Sequence, residues 1–161
     1  MTVSYLKPIL DIDNFPNVVE HLGHQISKDY KDGKFDALIV TGLSGVILAS
    51  AISYQYRIPL IVVRKGESTH SSLQVEGYNP NKHFRVAFLD DFISSGKTLK
   101  RVLDLTENML EIVQGYFYLE YSEAETLKDL DKEILNAYFP DLDFPIFSVN
   151  YCDKMHELEV Y

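Results

Sequence analysis

The chain has 161 residues, 46% of them hydrophobic and 24% charged, with a formal net charge of −9 and one cysteine, Cys152. A lone cysteine excludes an intrachain disulfide, no apolar run is long enough for a membrane-spanning helix, and the acidic balance argues against a nucleic-acid or anionic-membrane surface. One globular domain over residues 1–161 is expected, in a reducing, cytoplasmic compartment, and the opening MTVSYLKPIL lacks a signal-peptide core.

Asn14-Phe15-Pro16 has the form of a helix N-cap with proline just inside, and the pattern continues to Tyr30 before Asp32-Gly33 stops it. FDALIV at 35–40 reads as a buried strand, followed by Thr41-Gly42-Leu43-Ser44-Gly45 as a turn and 46–56 as a helix. IPLIVV at 58–63 is a second buried strand. Residues 64–83 are polar and carry Gly66, Gly77 and Pro80, a connection long enough to suggest a functional loop. A third strand is expected over 85–89, a helix over 98–110, an aromatic strand over 113–121 (VQGYFYLEY), a charged helix over 123–138 and a short strand over 147–150. Alternation of strand and helix predicts an α/β fold, a mostly parallel twisted sheet flanked by helices. Ligands of such sheets sit at the carboxyl ends of the strands. The stretches 41–45, 64–83 and 90–98 all follow strands and are expected on one edge.

The charge is uneven: residues 1–103 carry a balance of +2 and residues 104–161 a balance of −11. The front part therefore suits a small polyanion better than the back part does.

VAFLDDFISSGKTLK, residues 86–100, ends like a nucleotide-binding P-loop in Ser95-Gly96-Lys97-Thr98. The P-loop's first glycine would stand where Asp91 stands, and an aspartate there blocks and repels phosphate. Asp90-Asp91 instead suits hydrogen bonds from vicinal sugar hydroxyls, or Mg2+ held through water. Ser94 to Thr98 offer hydroxyls and N–H groups at a helix start, a setting for a phosphate monoester. A diol beside a phosphate is a ribose 5-phosphate. Thr41 to Gly45 reads either as a tight turn or as backbone N–H groups facing a second anion. Arg64-Lys65 reads either as a solvated strand end or as a diphosphate clamp.

Two acids, two apolar residues, a variable position, Ser, Gly, a variable position and Thr, filled by Asp90, Asp91, Phe92, Ile93, Ser94, Ser95, Gly96, Lys97 and Thr98, resemble the ribosyl-diphosphate signature of the type I phosphoribosyltransferases. ALIVTGLSGVILASAISYQYRIPLIVVRK, residues 37–65, resembles that family's segment from diphosphate loop to Arg-Lys strand. The resemblance covers residues 35 to about 110. It implies transfer of a phosphoribosyl group from 5-phosphoribosyl 1-diphosphate (PRPP) to a nitrogenous base, with Mg2+ as cofactor, and a hood built from terminal segments. By position Asp90 and Asp91 hold the ribose hydroxyls and, through water, the metal. Ser94 to Thr98 hold the 5-phosphate. Thr41, Gly42, Leu43, Ser44 and Gly45, with Arg64 and Lys65, hold the diphosphate, and the catalytic set is Asp90, Asp91, Arg64 and Lys65. Residues 66–82 are expected to be a mobile lid, with His70 reaching the diphosphate. Ser94 stands where 6-oxopurine enzymes carry an aspartate, which argues against the usual hypoxanthine or guanine mechanism. RKGESTHS, residues 64–71, matches the orotate enzymes' lid only at Arg64, Lys65 and His70. The expected partners are PRPP, a base and a second copy of the chain in a homodimer. The alternative function is a non-catalytic PRPP-binding regulator.

Overall fold

A computed structural model describes residues 6–65, 73–91, 97–119 and 146–150. The elements in chain order are α1 (Lys7–Leu10), α2 (Phe15–Lys31), β1 (Ala37–Thr41), α3 (Gly42–Tyr56), β2 (Leu60–Val63), β3 (Val75–Glu76), β4 (Arg85–Asp90), α4 (Lys97–Thr106), β5 (Glu111–Leu119) and β6 (Ile146–Asn150). They build a six-stranded sheet in the order β3-β2-β1-β4-β5-β6. All pairings are parallel except β2 with β3. Strand order reverses between β1 and β4, which makes the crevice at their carboxyl ends the expected ligand position.

The period of two along each strand divides the core between the two faces of the sheet. Leu38, Val40, Ala87, Leu89 and Tyr116 pack with α2 and α3 residues such as Leu22, Ile26, Leu48 and Ile52. Ala37, Ile39, Val86, Phe88 and Phe117 pack with Leu99 and Val102 of α4. Every residue of β1 is buried, as a central strand covered on both faces requires. On the described N-terminal side, Ile9 of α1 enters the α2–α3 core. Of the terminal segments expected to form a hood, residues 1–5, 120–145 and 151–161 lie outside the described residues.

Opposite the carboxyl edge, one buried polar cluster ties α2 to β5. Pairing of β4 with β5 skips Val113, so that Gln114 and Tyr116 lie on the face covered by α2. Both donate to Oδ2 of the buried Asp29, at 3.0 and 2.7 Å. Lys34 Nζ meets the other carboxylate oxygen at 2.7 Å. Burial pushes the Asp29 pKa up, but the bonds from Lys34, Tyr116, Gln25 and Gln114 outweigh it and hold the group down at about 2.

Several expectations change. Residues 41–45 are not a separate turn: Thr41 closes β1 and the helix begins at Gly42. Residues 64–83 are not one structureless connection. Val75 and Glu76 pair with Val63 and Val62, Arg64 N–H donates to the Gln74 carbonyl at 2.8 Å, and the Tyr78 hydroxyl donates to the Met109 carbonyl at 2.8 Å. The stretch 73–82 thus holds an edge strand and its anchorage, and residues 66–72 lie outside the described residues. The expected helix at 98–110 ends at Thr106, where the Thr106 hydroxyl turns back to the Val102 carbonyl at 2.7 Å and Met109 and Leu110 N–H groups bond to the Thr106 carbonyl. The expected helix over 123–138 lies outside the described residues.

Candidate active site

β2, β1 and β4 are neighbours in the sheet and run the same way, so that Lys65, Gly42 and Asp90 arrive together at one edge. Gly42, the first residue of α3, has φ +76°, a left-handed conformation that favours glycine. A Cβ at Gly42 would stand 2.8 Å from Lys65 Nζ, which places the ammonium directly over the start of the helix. Gly45, one turn on, lets α3 approach β4: a Cβ there would lie 3.2 Å from the Leu89 carbonyl oxygen and 3.5 Å from Asp90 Oδ1. The two glycines of the TGLSG stretch thus serve different contacts, one toward the cation of β2 and one toward the acid of β4.

Asp90 is 7% exposed and accepts the Asp91 N–H at 3.0 Å on Oδ1. Burial first, and the neighbouring Asp91 second, push its carboxyl well above the usual carboxylate range, with Lys65 pulling the other way. Thr41, 1% exposed, has a buried hydroxyl with no hydrogen-bond partner among the described residues. An orphaned hydroxyl at a strand end beside a carboxylate and an ammonium is a group set for a polar ligand.

The remaining expected residues divide. Ser44 is half-buried, whereas Leu43 is 63% exposed and points away from the core. Arg64 does not join Lys65. Its Nε donates to Glu76 Oε1 at 3.0 Å, a second guanidinium nitrogen meets the same oxygen at 2.9 Å, and both side chains are half-exposed. The expected two-cation clamp is therefore divided, with Lys65 over the crevice and Arg64 held against the edge strand. Lys97 is exposed and Thr98 half-buried at the start of α4. His70, Phe92, Ile93, Ser94, Ser95 and Gly96 lie outside the described residues.

Two contacts had no reading in the sequence. Glu76 binds Arg64, and Arg101 donates to the Arg64 carbonyl at 3.1 Å. A two-residue strand inside a polar stretch gives almost no periodic signal, so nothing marked Glu76 as facing Arg64.

No family model matches the chain. An adenine phosphoribosyltransferase of Treponema denticola is 29% identical over 143 residues, covering 76% of this chain and 74% of that protein. Among solved structures, the adenine phosphoribosyltransferase of Thermoanaerobacter pseudethanolicus superposes with a TM-score of 0.60 at 17% identity, covering 89% of this chain and 84% of that one. The orotate phosphoribosyltransferase of Francisella tularensis superposes with a TM-score of 0.58 at 18% identity, covering 90% of this chain and 70% of that one. In sequence and in fold the chain is similar to the type I phosphoribosyltransferases. The phosphoribosyltransferase fold accounts for the parallel sheet and for the position of the crevice at its carboxyl edge.

Proposed function

We propose that this phosphoribosyltransferase moves the phosphoribosyl group of PRPP onto a nitrogenous base and releases diphosphate. The observation that carries the reading is the convergence of Gly42, Lys65 and Asp90 at the strand-order reversal, with the Thr41 hydroxyl orphaned beside them. In the reaction the bond from the anomeric carbon to the diphosphate oxygen breaks and a bond from a base nitrogen forms, through an oxocarbenium-like species. Lys65, poised over the α3 N-terminus, supplies positive potential where negative charge grows on the departing diphosphate. Asp90 and Asp91 accept hydrogen bonds from the ribose hydroxyls, and the backbone N–H groups and hydroxyls of Ser94 to Thr98 take the 5-phosphate, without the Lys97 ammonium.

The acid pair also fits Mg2+. The described residues hold no cluster of three or more His, Cys, Asp or Glu side chains. Asp90 and Asp91 would hold such an ion through water, and it would supply neutralisation of diphosphate charge.

A homodimer suits α3. GLSGVILASAISYQY carries no charged residue, and Leu43 and Tyr54 are 63% and 89% exposed on it. A helix apolar on all sides is normally covered on all sides. The acidic chain disfavours a nucleic-acid partner. Among the described residues no helix is long and apolar enough to cross a membrane.

The base is identified by measuring diphosphate release from PRPP and Mg2+ with a panel of purine, pyrimidine and pyridine bases. PRPP binding without release on any base would reduce the protein to a PRPP-binding module. Asp91→Asn is expected to lower PRPP affinity about tenfold or more, the loss of one charge-assisted contact, with little change in melting temperature because a strand-end residue carries little packing. Unchanged affinity in that variant would remove the ribose from this site.

A further inference from the structure

A concavity lies between α4 and the residue that precedes β3. Its lining comes from one face of α4, namely Lys97, Lys100, Arg101, Asp104 and Leu105, and from Gln74 just before the edge strand β3. The helical spacing i, i+3, i+4, i+7, i+8 puts these five side chains on one stripe. The cleft has a volume of about 370 Å3.

Its charge is unusual for this molecule. Three cations face one acid, in a chain whose net charge is −9. The acid is already taken: Lys100 Nζ meets both oxygens of Asp104 at 2.8 Å. Arg101 is fixed in place by its bond to the Arg64 carbonyl. Lys97 has no hydrogen bond or ion pair among the described residues. Gln74 brings an amide across from the other wall, and Leu105 adds an apolar patch. Lys97, which in a P-loop would grip nucleotide phosphates from inside the catalytic loop, here lines the cleft beside Lys100 and Arg101.

We infer that this cleft binds a small polyphosphate anion, of the size of a nucleoside diphosphate, as a site separate from the PRPP crevice. A single phosphate would leave most of the volume empty, and Leu105 offers an apolar contact beside the cations. Lys97, Lys100 and Arg101 bind the phosphates, Gln74 adds a polar contact, and Leu105 packs under the remainder. Nucleic acid is a poorer occupant, because three cations on one helix form no extended track and the rest of the chain repels it.

The occupant would touch parts that the crevice also uses. Arg101 is bonded to the Arg64 carbonyl, and Arg64 N–H is bonded to the Gln74 carbonyl. A bound anion bridging Arg101 and Gln74 therefore closes a ring around the end of β2, next to Lys65. Occupancy is a means of adjusting the cation that faces Asp90.

The experiment is calorimetric titration of ADP, without PRPP, into the full chain, into a Lys100→Gln/Arg101→Gln double variant, and into Asp91→Asn. Circular dichroism and thermal melting establish that each variant is folded, and Lys100→Gln alone serves if the double variant is not. The expected result is ADP binding to the wild type, weakened about tenfold or more in the cleft variant and unchanged in Asp91→Asn, with affinity falling as salt rises. Binding that Asp91→Asn weakens and the cleft variant does not would put the nucleotide in the crevice and overturn the proposal. Absence of ADP binding to the wild type at millimolar concentration would also overturn it. None of these arms depends on PRPP turnover, so failure of the transferase reading and failure of the cleft are told apart.

Discussion

At Gly42 two demands meet on one residue. Its φ of +76° is strained for any L side chain, and a Cβ would collide with Lys65 Nζ. Gly42→Ala is expected to cost about 1–2 kcal/mol of stability from the backbone alone, and to weaken diphosphate binding further because Lys65 must move. Calorimetry with PRPP, alongside urea melts, separates the two losses. Asp90 tests the opposite relation between stability and function. Its folded pKa lies above the unfolded one, so the folded state binds the extra proton. The stability this contributes is present at low pH and is lost as pH rises through the folded value. Asp90→Asn removes that loss. The variant is expected to melt higher than wild type by a margin that widens from mildly acidic to alkaline pH, while losing PRPP affinity. A margin that is flat with pH would mean that Asp90 is not held protonated in the free protein.

Among the elements, β1 and β4 were readable in advance because each is a continuous apolar run buried on both faces. Asp90-Asp91 stood out as a candidate site because two acids at the end of such a run have no packing purpose. The helix start at Gly42 was not readable: two glycines suggest a turn by propensity, and only the approach of α3 to β4 and to Lys65 makes them the first turn of a helix. β3 was missed for a different reason. It is two residues long, and its pairing with β2, not its own sequence, makes it a strand. The pairing also sets where Arg64 points. The Arg64–Glu76 pair is half-exposed and contributes under about 1 kcal/mol. Glu76→Gln is therefore expected to leave the melting temperature nearly unchanged and to tighten diphosphate binding a few-fold, since it releases a guanidinium one residue from Lys65. Unaltered or weaker binding would assign Arg64 a purely structural part.

For the molecule as a whole, the open question of assembly falls on α3, whose uncharged outer face carries Leu43 beside the crevice and Tyr54 near the far end. Tyr54→Glu places a charge on that face without touching a described core residue. Sedimentation of the variant is expected to show monomer where wild type shows dimer, because in an isologous contact each substitution counts twice. A wild type that sediments as a monomer would leave α3 with an uncovered apolar face and refute the dimer. The acidic balance of residues 104–161 favours solubility.

Among the described strands only β3 runs against its neighbour, and this has a consequence for how the protein tolerates change. The chain leaves β2 and re-enters beside it as a hairpin, closed at its base by Arg64 N–H on the Gln74 carbonyl. Chain added between those two residues neither lengthens a crossover nor shifts a register in the parallel strands. Closure entropy grows only logarithmically, so that doubling such a connection costs about 0.6 kcal/mol. The sheet and the crevice thus place few limits on the length of this connection. It is the natural point of insertion, in divergence or by design, that leaves the parallel strands and their carboxyl edge unaltered.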